Sequence, residues 1–197
     1  MEDISAHPTA QDKDSVAAND DEARWIVAAQ ATPTAFEPLY LRYRGRVYHY
    51  LRTRLNNDED AADATQQVFL QALKALPKYK QRGIPFAVWL FRIAHHLAIN
   101  VSSRNSSTVS WQALPEMLHP ASGQDLEASV LQQETLAHLK RLLATLDPYK
   151  RELLSLRFAA GLTVPQIAAV LGKNPEAVKK QLSRLLQSFK EQYHDER

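Results

Sequence analysis

The chain has 197 residues, of which 45% are hydrophobic, with five glycines and no cysteine. This composition supports one medium domain or two small ones, and it excludes a disulfide scaffold, a Cys-ligated zinc site and a thiol nucleophile. Glycine is too scarce for a P-loop or a dinucleotide-binding turn, and no G-x-G occurs. The net charge is +2, but residues 1–22 hold seven acidic residues and one basic residue, whereas residues 136–197 hold eleven basic and six acidic ones. A basic body predicts a polyanionic partner such as nucleic acid.

The beginning of the chain is predicted to be a disordered acidic tail over residues 1–20, because it is polar and shows no apolar period. It lacks the basic and then apolar pattern of a secretion signal. The longest apolar run, residues 87–94, is interrupted by Arg92 and is far shorter than the ~20 residues of a membrane span. These patterns predict a cytoplasmic protein without membrane insertion.

Helical periodicity begins after the tail. Thr34 and Glu37 have the spacing of a capping box, and the apolar residues after them recur at helical intervals up to Leu55. Asn57 is predicted to begin the next helix, and Pro77 to end it.

A third helix is predicted after Gly83 and Pro85, which completes a helical bundle over residues 21–103. Serine, proline and glycine then replace the periodic pattern, so a flexible linker is predicted over residues 104–124. A second helical domain is predicted over residues 125–197. The fold class expected from these elements is all-α, with two small helical domains and a helix-turn-helix in the second.

The helix-turn-helix is predicted from local signals. Thr163 with Gln166 forms a second capping box, and Ala168, Gly172 and Val178 have the spacing at which a small residue, a left-handed turn and a packing residue join two helices. The second helix then presents an outward face that can enter a major groove, consisting of Glu176, Ala177, Lys179, Lys180, Ser183 and Arg184. An ordinary helical hairpin with a solvated basic face is the alternative.

The predicted helix after Asn57 carries a polar stripe of Asp60, Asp63, Gln67 and Lys74 opposite its apolar positions. This stripe is interpreted either as a docking surface for a partner or as a solvated face. The adjacent His95 and His96 point about 100° apart on a helix and are therefore not expected to share a metal ion. No nucleophile or carboxylate pair with catalytic spacing is found, so no enzymatic activity, metal or cofactor is expected.

The chain contains, in order, F-E-P-L-Y-L-R-Y-R-G-R-V-Y, D-A-A-D-A-T-Q-Q-V-F-L-Q-A-L, P-F-A-V-W-L-F-R-I-A-H-H-L-A-I-N and L-D-P-Y-K-R-E-L-L-S-L-R-F-A-A-G-L-T-V-P-Q-I-A-A-V-L-G. Together these segments resemble the extracytoplasmic-function (ECF) sigma factors of bacterial RNA polymerase, from about Glu22 to Lys190. The resemblance implies a subunit that binds core polymerase, recognises the −10 and −35 promoter elements and directs transcription initiation. It also implies an anti-sigma factor as a partner.

The resemblance further implies three groups of site residues. Those implied to bind core polymerase are Asp60, Asp63, Gln66 and Gln67. Those implied to contact the −10 region of promoter DNA are Trp89, Arg92, His96, Asn100 and Arg104. Those implied to contact the −35 region are Lys173, Glu176, Ala177, Lys179, Lys180, Ser183 and Arg184.

Three departures from the family pattern affect these expectations. Gln67 replaces the usual glutamate, Arg104 is the only arginine in the stretch after Asn100 where the family has a cluster, and Leu185 and Leu186 replace basic residues.

The alternative function is a helix-turn-helix regulator that binds an operator without core polymerase. A third is an interaction protein of the same fold without promoter activity. The acidic tail is interpreted as a solubilising leader, or as a mask over the DNA-binding faces.

Overall fold

The computed structural model describes residues 10–55, 57–81, 83–104, 143 and 145–195, and every regular element in these ranges is helical. The α-helices in the described ranges are α1 (Ala10–Ala31), α2 (Glu37–Arg52), α3 (Asp58–Ala75), α4 (Phe86–Arg104), α5 (Pro148–Leu154), α6 (Val164–Leu171) and α7 (Pro175–Asp195). The predicted all-α class is confirmed for this part of the chain. The predicted linker after residue 104 lies outside the described residues.

Helices α1 to α4 form the N-terminal bundle, whose core is built from apolar residues that recur at helical spacing. Tyr43, Val47 and Tyr50 of α2 are buried, as are Phe86 and Phe91 of α4. Their aromatic rings meet edge to face or tilted, with a centroid distance of 5.8 Å for Tyr50 and Phe91, a geometry that the ring quadrupoles favour. The bundle therefore buries one continuous apolar core between its helices.

Helix α1 begins at Ala10, although the sequence predicted a disordered tail over residues 1–20. The prediction was wrong for the second half of that segment. The stretch contains alanines and no proline, and Asp12 belongs to the first turn of the helix, where the helix dipole stabilises negative charge. Absence of an apolar stripe in this segment therefore did not exclude a helix.

The predicted capping box of Thr34 and Glu37 is also absent. Pro33 begins a 3-10 turn over Pro33–Phe36, and α2 starts directly after it at Glu37. Proline favours the first position of a helical turn because its φ is already helical and its missing N–H has no partner there. The helical turn therefore begins at Pro33, one residue before Thr34, the predicted N-cap.

The start of α3 agrees with the prediction. The side-chain oxygen of Asn57 accepts a hydrogen bond from the backbone N–H of Asp60 at 2.7 Å, which satisfies one of the free donors of the first turn. At the other end, the Gln30 amide donates to the carbonyl oxygens of Leu76 and Tyr79 at 3.0 and 2.7 Å. Helix α1 thereby holds the C-terminal end of α3.

Glu22 joins α1 to α2 inside the bundle. It is buried, accepts a hydrogen bond from the Tyr43 hydroxyl at 2.6 Å, and pairs with Arg42 at 3.2 Å. Burial and the neighbouring carboxylate raise the pKa of Tyr43 above its usual range. We expect Glu22→Ala to lower the free energy of unfolding by about 1–3 kcal/mol, since the buried phenol loses its acceptor. Urea denaturation measures this loss, and Glu22→Gln, which keeps an acceptor oxygen, is expected to lose less.

Helices α5 to α7 form the C-terminal unit. Asp147, which precedes Pro148, caps α5 by accepting from the backbone N–H of Lys150 at 3.0 Å. Helix α5 continues into a π-helical turn over Ser155–Ala159, and α7 packs against both α5 and α6. The unit also packs against the N-terminal bundle, with α6 on α4 and the π-helical turn on α2. In the described part of the chain, no helix is both long and apolar enough to cross a membrane.

Candidate nucleic-acid and protein interfaces

The C-terminal unit contains the predicted helix-turn-helix in α6 and α7. The side chain of Gln166 accepts from the backbone N–H of Thr163 at 2.9 Å, which completes the capping box at the start of α6. Ala168 and Val178 are buried between the two helices, as their spacing predicted. The side chain of Asn174 accepts from the backbone N–H of Glu176 at 2.8 Å and so caps α7.

Gly172 forms the turn between the two helices in a left-handed conformation with φ of 63°. A Cβ added here would meet nothing within 4 Å, so the cost of a side chain comes from the backbone alone. We expect Gly172→Ala to lower the free energy of unfolding by about 1–2 kcal/mol. Thermal denaturation measures this loss. Gly172→Asn is the matched control and is expected to lose less, because asparagine tolerates this conformation better than alanine does.

The first half of α7 presents its predicted DNA-contacting residues to solvent. Val178, Leu182 and Leu185 form its buried stripe. The predicted residues that are exposed are Lys173, Glu176, Ala177, Lys179, Lys180, Ser183 and Arg184. Of the two leucines that depart from the family pattern, Leu185 is part of the core and Leu186 is 44% exposed. The structure therefore leaves this basic face open.

The predicted polymerase-binding stripe lies on the outer face of α3. Asp63, Gln66 and Gln67 are exposed, whereas the carboxylate of Asp60 is half-buried and accepts from the side-chain amide of Asn57 at 3.1 Å. Leu70, which sequence reasoning did not single out, is 56% exposed next to this stripe. Leu70 lies seven residues, or about two helical turns, after Asp63, and this spacing indicates that both side chains lie on the same face of α3. The stripe thus combines a carboxylate, two amides and an apolar side chain.

The predicted −10 residues follow one side of α4 but differ in their exposure. His96 and Asn100 are exposed. Trp89 is half-buried in an aromatic cluster, with its ring 4.8 Å from that of Tyr79 and 5.3 Å from that of Phe86. Arg104 is the last residue of α4, and its side chain lies outside the described part of the structure.

Arg92, the remaining predicted −10 residue, contacts the C-terminal unit. Its Nε and one terminal nitrogen donate to the carbonyl oxygen of Ala169 at 3.0 and 2.7 Å. Ala169 lies in the last turn of α6, where carbonyls lack intrahelical partners and a positive charge is favoured by the helix dipole. In this structure Arg92 therefore caps α6.

A buried cluster around Glu152 also joins the two units, and sequence reasoning did not predict it. The carboxylate pairs with Arg54 at 2.6 Å, accepts from the Tyr50 hydroxyl at 2.7 Å and lies 2.9 Å from Nδ1 of His95. Burial by itself raises the pKa of Glu152, but the hydrogen bond to His95 and the positive charge of Arg54 outweigh it and lower the pKa. Burial and the carboxylate raise the pKa of Tyr50.

Comparison with protein families identifies the two helical units. Residues 39–108 match the family model of sigma-70 region 2, and residues 136–188 match that of sigma-70 region 4. The first match covers α2 to α4, and the second covers the helix-turn-helix.

Comparison with curated proteins finds sigma factors. The chain is 35% identical over 170 residues to the ECF RNA polymerase sigma factor BldN of Streptomyces coelicolor, which covers 83% of this chain and 63% of that protein. It is 36% identical over 162 residues to the ECF RNA polymerase sigma factor ShbA of Streptomyces griseus, covering 75% of this chain and 80% of ShbA.

Among solved structures, the fold is similar to that of CnrH in complex with the cytosolic domain of CnrY, with a TM-score of 0.61 and 22% identity over 88% of this chain and 97% of that one. This likeness concerns the fold alone. The order of the two regions and the identity to ShbA over most of its length establish the relationship. The chain belongs to the ECF RNA polymerase sigma factors.

Proposed function

We propose that the protein is a sigma factor that binds bacterial core RNA polymerase, recognises the −10 and −35 promoter elements and directs transcription initiation in the cytoplasm. It acts as a binding subunit and not as an enzyme. The observation that carries this proposal is the presence of two different surfaces on one chain. The N-terminal bundle exposes the polar stripe of α3, and the C-terminal unit exposes the basic face of α7.

The charge of the chain supports a role within a complex. With a net charge of +2, the protein has little nonspecific attraction for DNA by itself. Core polymerase supplies the missing affinity when it holds both units at a fixed separation, because binding of the second unit then becomes intramolecular. On this proposal the phosphate contacts of α7 position the helix, and a few side chains discriminate bases.

The division into domains forms part of the proposal. Residues 21–103 are proposed to be region 2, residues 104–124 a flexible linker and residues 125–197 region 4. The family matches, which end at residue 108 and resume at residue 136, support a break between them.

An anti-sigma factor is proposed as a further partner. Support comes from CnrH, which was solved with the cytosolic domain of CnrY. The exposed apolar side chains Leu70 and Leu186 provide surface that such a protein can cover.

The decisive experiment is gel filtration of the purified full chain with sigma-free bacterial core RNA polymerase, at a salt concentration that screens nonspecific attraction. A stoichiometric complex is the expected result. Transcription from promoter fragments, dependent on addition of the protein, then tests initiation.

The two alternative functions predict other results in these experiments. If the folded protein forms no complex with core polymerase but binds a palindromic duplex alone, it is an operator-binding regulator. If it binds polymerase and no promoter supports initiation, the interaction-protein interpretation replaces the proposal.

A further inference from the structure

The turn that follows α3 is fixed by a side chain of α1. The chain leaves α3 through a 3-10 turn over Leu76–Lys78, and the Gln30 amide donates to the carbonyl oxygens of Leu76 and Tyr79, as described above. Gln30 is half-buried, and its two bonds join groups that are 46 and 49 residues apart in the chain. Because carbonyls at a helix C-terminus lack helical partners, one amide holds both ends of this turn.

Tyr79 is held at two further points. Its backbone N–H donates to the carbonyl oxygen of Leu76 at 3.0 Å, and its hydroxyl donates to the carbonyl oxygen of Ile84 at 3.0 Å. The hydroxyl bond crosses the loop that leads to α4, in which Gly83 has a left-handed φ of 69°. Hydrogen bonds at the N–H, the carbonyl and the hydroxyl of Tyr79 therefore fix both its backbone and its ring.

Trp89 of α4 packs against this fixed ring. Its indole lies 4.8 Å from the Tyr79 ring, with 44° between the planes, and 5.3 Å from the Phe86 ring, with 46° between the planes. Tyr79 and Phe86 are buried, whereas Trp89 keeps part of its surface in solvent. One side of the indole is thus held against the bundle, and the solvent-facing part is open to a ligand.

We propose that Gln30 and Tyr79 are positioning residues for promoter DNA, which hold the indole of Trp89 in the orientation that stacks on an unpaired base of the −10 element. The inference rests on the proposed function for the contact between Trp89 and the −10 element, and it adds the residues that orient the indole.

A fixed indole binds a base more tightly than a mobile one. Stacking of one base on an aromatic side chain raises affinity by about 5- to 150-fold. Part of this gain is lost when the side chain has to be ordered on binding. Gln30 and Tyr79 order the indole before DNA arrives, so their removal is expected to weaken stacking although neither residue touches the base.

The orientation of the indole is tested in the free full chain labelled with fluorotryptophan. The chain has three tryptophans, and the fluorine NMR resonance that disappears in Trp89→Phe belongs to Trp89. Gln30→Leu removes both amide donors and keeps a side chain of similar size. Gln187→Leu makes the same replacement at an exposed position of α7 and is the control. We expect the Trp89 resonance to shift or broaden in Gln30→Leu alone, while the other two tryptophans stay unchanged.

The consequence for DNA is tested with the holoenzyme and a promoter fragment whose −10 region is kept unpaired by mismatches. Gln30→Leu is expected to bind this fragment about tenfold more weakly than the wild type, and Gln187→Leu as tightly as the wild type. In Trp89→Ala, which lacks the indole, adding Gln30→Leu is expected to weaken binding by less than about twofold. Such a double-mutant cycle isolates the coupling of the two positions, whereas a merely structural loss adds fully to that of Trp89→Ala.

A second variant covers the case in which Gln30→Leu does not fold. Tyr79→Phe removes only the hydroxyl bond to Ile84 and keeps the ring, so it is expected to move the Trp89 resonance less and to weaken binding by about threefold. If Gln30→Leu loses its helical circular dichroism, Tyr79→Phe is judged by the same criteria.

Three results overturn the positioning role. They are an unchanged Trp89 resonance, an equal loss in Gln187→Leu, and a loss that is as large in the Trp89→Ala background as in the wild type. Co-elution with core polymerase separates the two proposals. If the wild type binds polymerase and the promoter fragment and the variants match it, the positioning role fails alone. If the wild type binds no polymerase, the sigma function fails, and the −10 role of Gln30 and Tyr79 fails with it.

Discussion

Replacing Lys179 and Arg184 together by alanine is expected to weaken recognition of the −35 element at least about 30-fold, while binding to core polymerase stays unchanged. Both side chains are exposed on α7, and each contact to a base edge or phosphate contributes about 1–3 kcal/mol. Binding of the holoenzyme to promoter DNA, measured at several salt concentrations, gives the loss. The slope of affinity against salt concentration is also expected to fall, because fewer counterions are released.

The control for this variant removes two positive charges elsewhere. Lys78 and Lys190 are exposed and belong to none of the proposed contact groups. The double variant Lys78→Ala with Lys190→Ala is expected to bind the promoter almost as well as the wild type. Equal losses for the two double variants would show that α7 contributes only net charge, and loss of polymerase binding in the first would contradict the division of labour between the units.

Reversing the charge at Asp63 is expected to produce the opposite phenotype. Asp63→Arg is expected to weaken binding to core polymerase by about 2–4 kcal/mol, or about 30- to 1,000-fold, because a cation replaces the carboxylate within the contact stripe. Competition with labelled wild-type protein for core polymerase measures the change. The C-terminal unit is untouched, so its weak binding to duplex DNA is expected to persist.

Folding does not confound this experiment. Asp63 is exposed, and surface substitutions away from special structural features usually change stability by at most about 0.5 kcal/mol. Glu37→Arg makes the same charge reversal at an exposed position of α2 and is expected to retain polymerase binding. If Glu37→Arg is as defective as Asp63→Arg, the polymerase does not recognise the α3 stripe.

Leu70 illustrates how a surface can be partly read from sequence. The polar positions of α3 were predicted from helical spacing, but the exposed leucine beside them was not singled out. Its 56% exposure depends on which face of α3 packs against α2 and α4. Residue type alone therefore did not assign it to the candidate polymerase contact.

Apart from the first half of α1, the sequence by itself determined the described helices and the helix-turn-helix, because the signals for these features act within a few residues. Asn57 caps α3 as predicted, and Asp147 and Asn174 cap α5 and α7 in the same way, through bonds to backbone N–H groups two or three positions away. Gly172 adopts the left-handed turn that its position between two apolar periods required. The same local reasoning failed at Thr34, where the preceding proline began a 3-10 turn first.

Only the tertiary structure decided which groups the buried charged side chains contact. Tyr50 and Glu152 are 102 residues apart in the chain, and Arg46 lies 114 residues before the carbonyl that it binds. No periodicity links such positions, so the sequence did not connect Arg46 or Arg54 with the C-terminal unit, and Arg92 was assigned to DNA. Whether a charged side chain contacts solvent, a carboxylate or a helix end depends on how the two units pack together. That packing depends on the complementarity of their whole surfaces, and short stretches of sequence do not encode it.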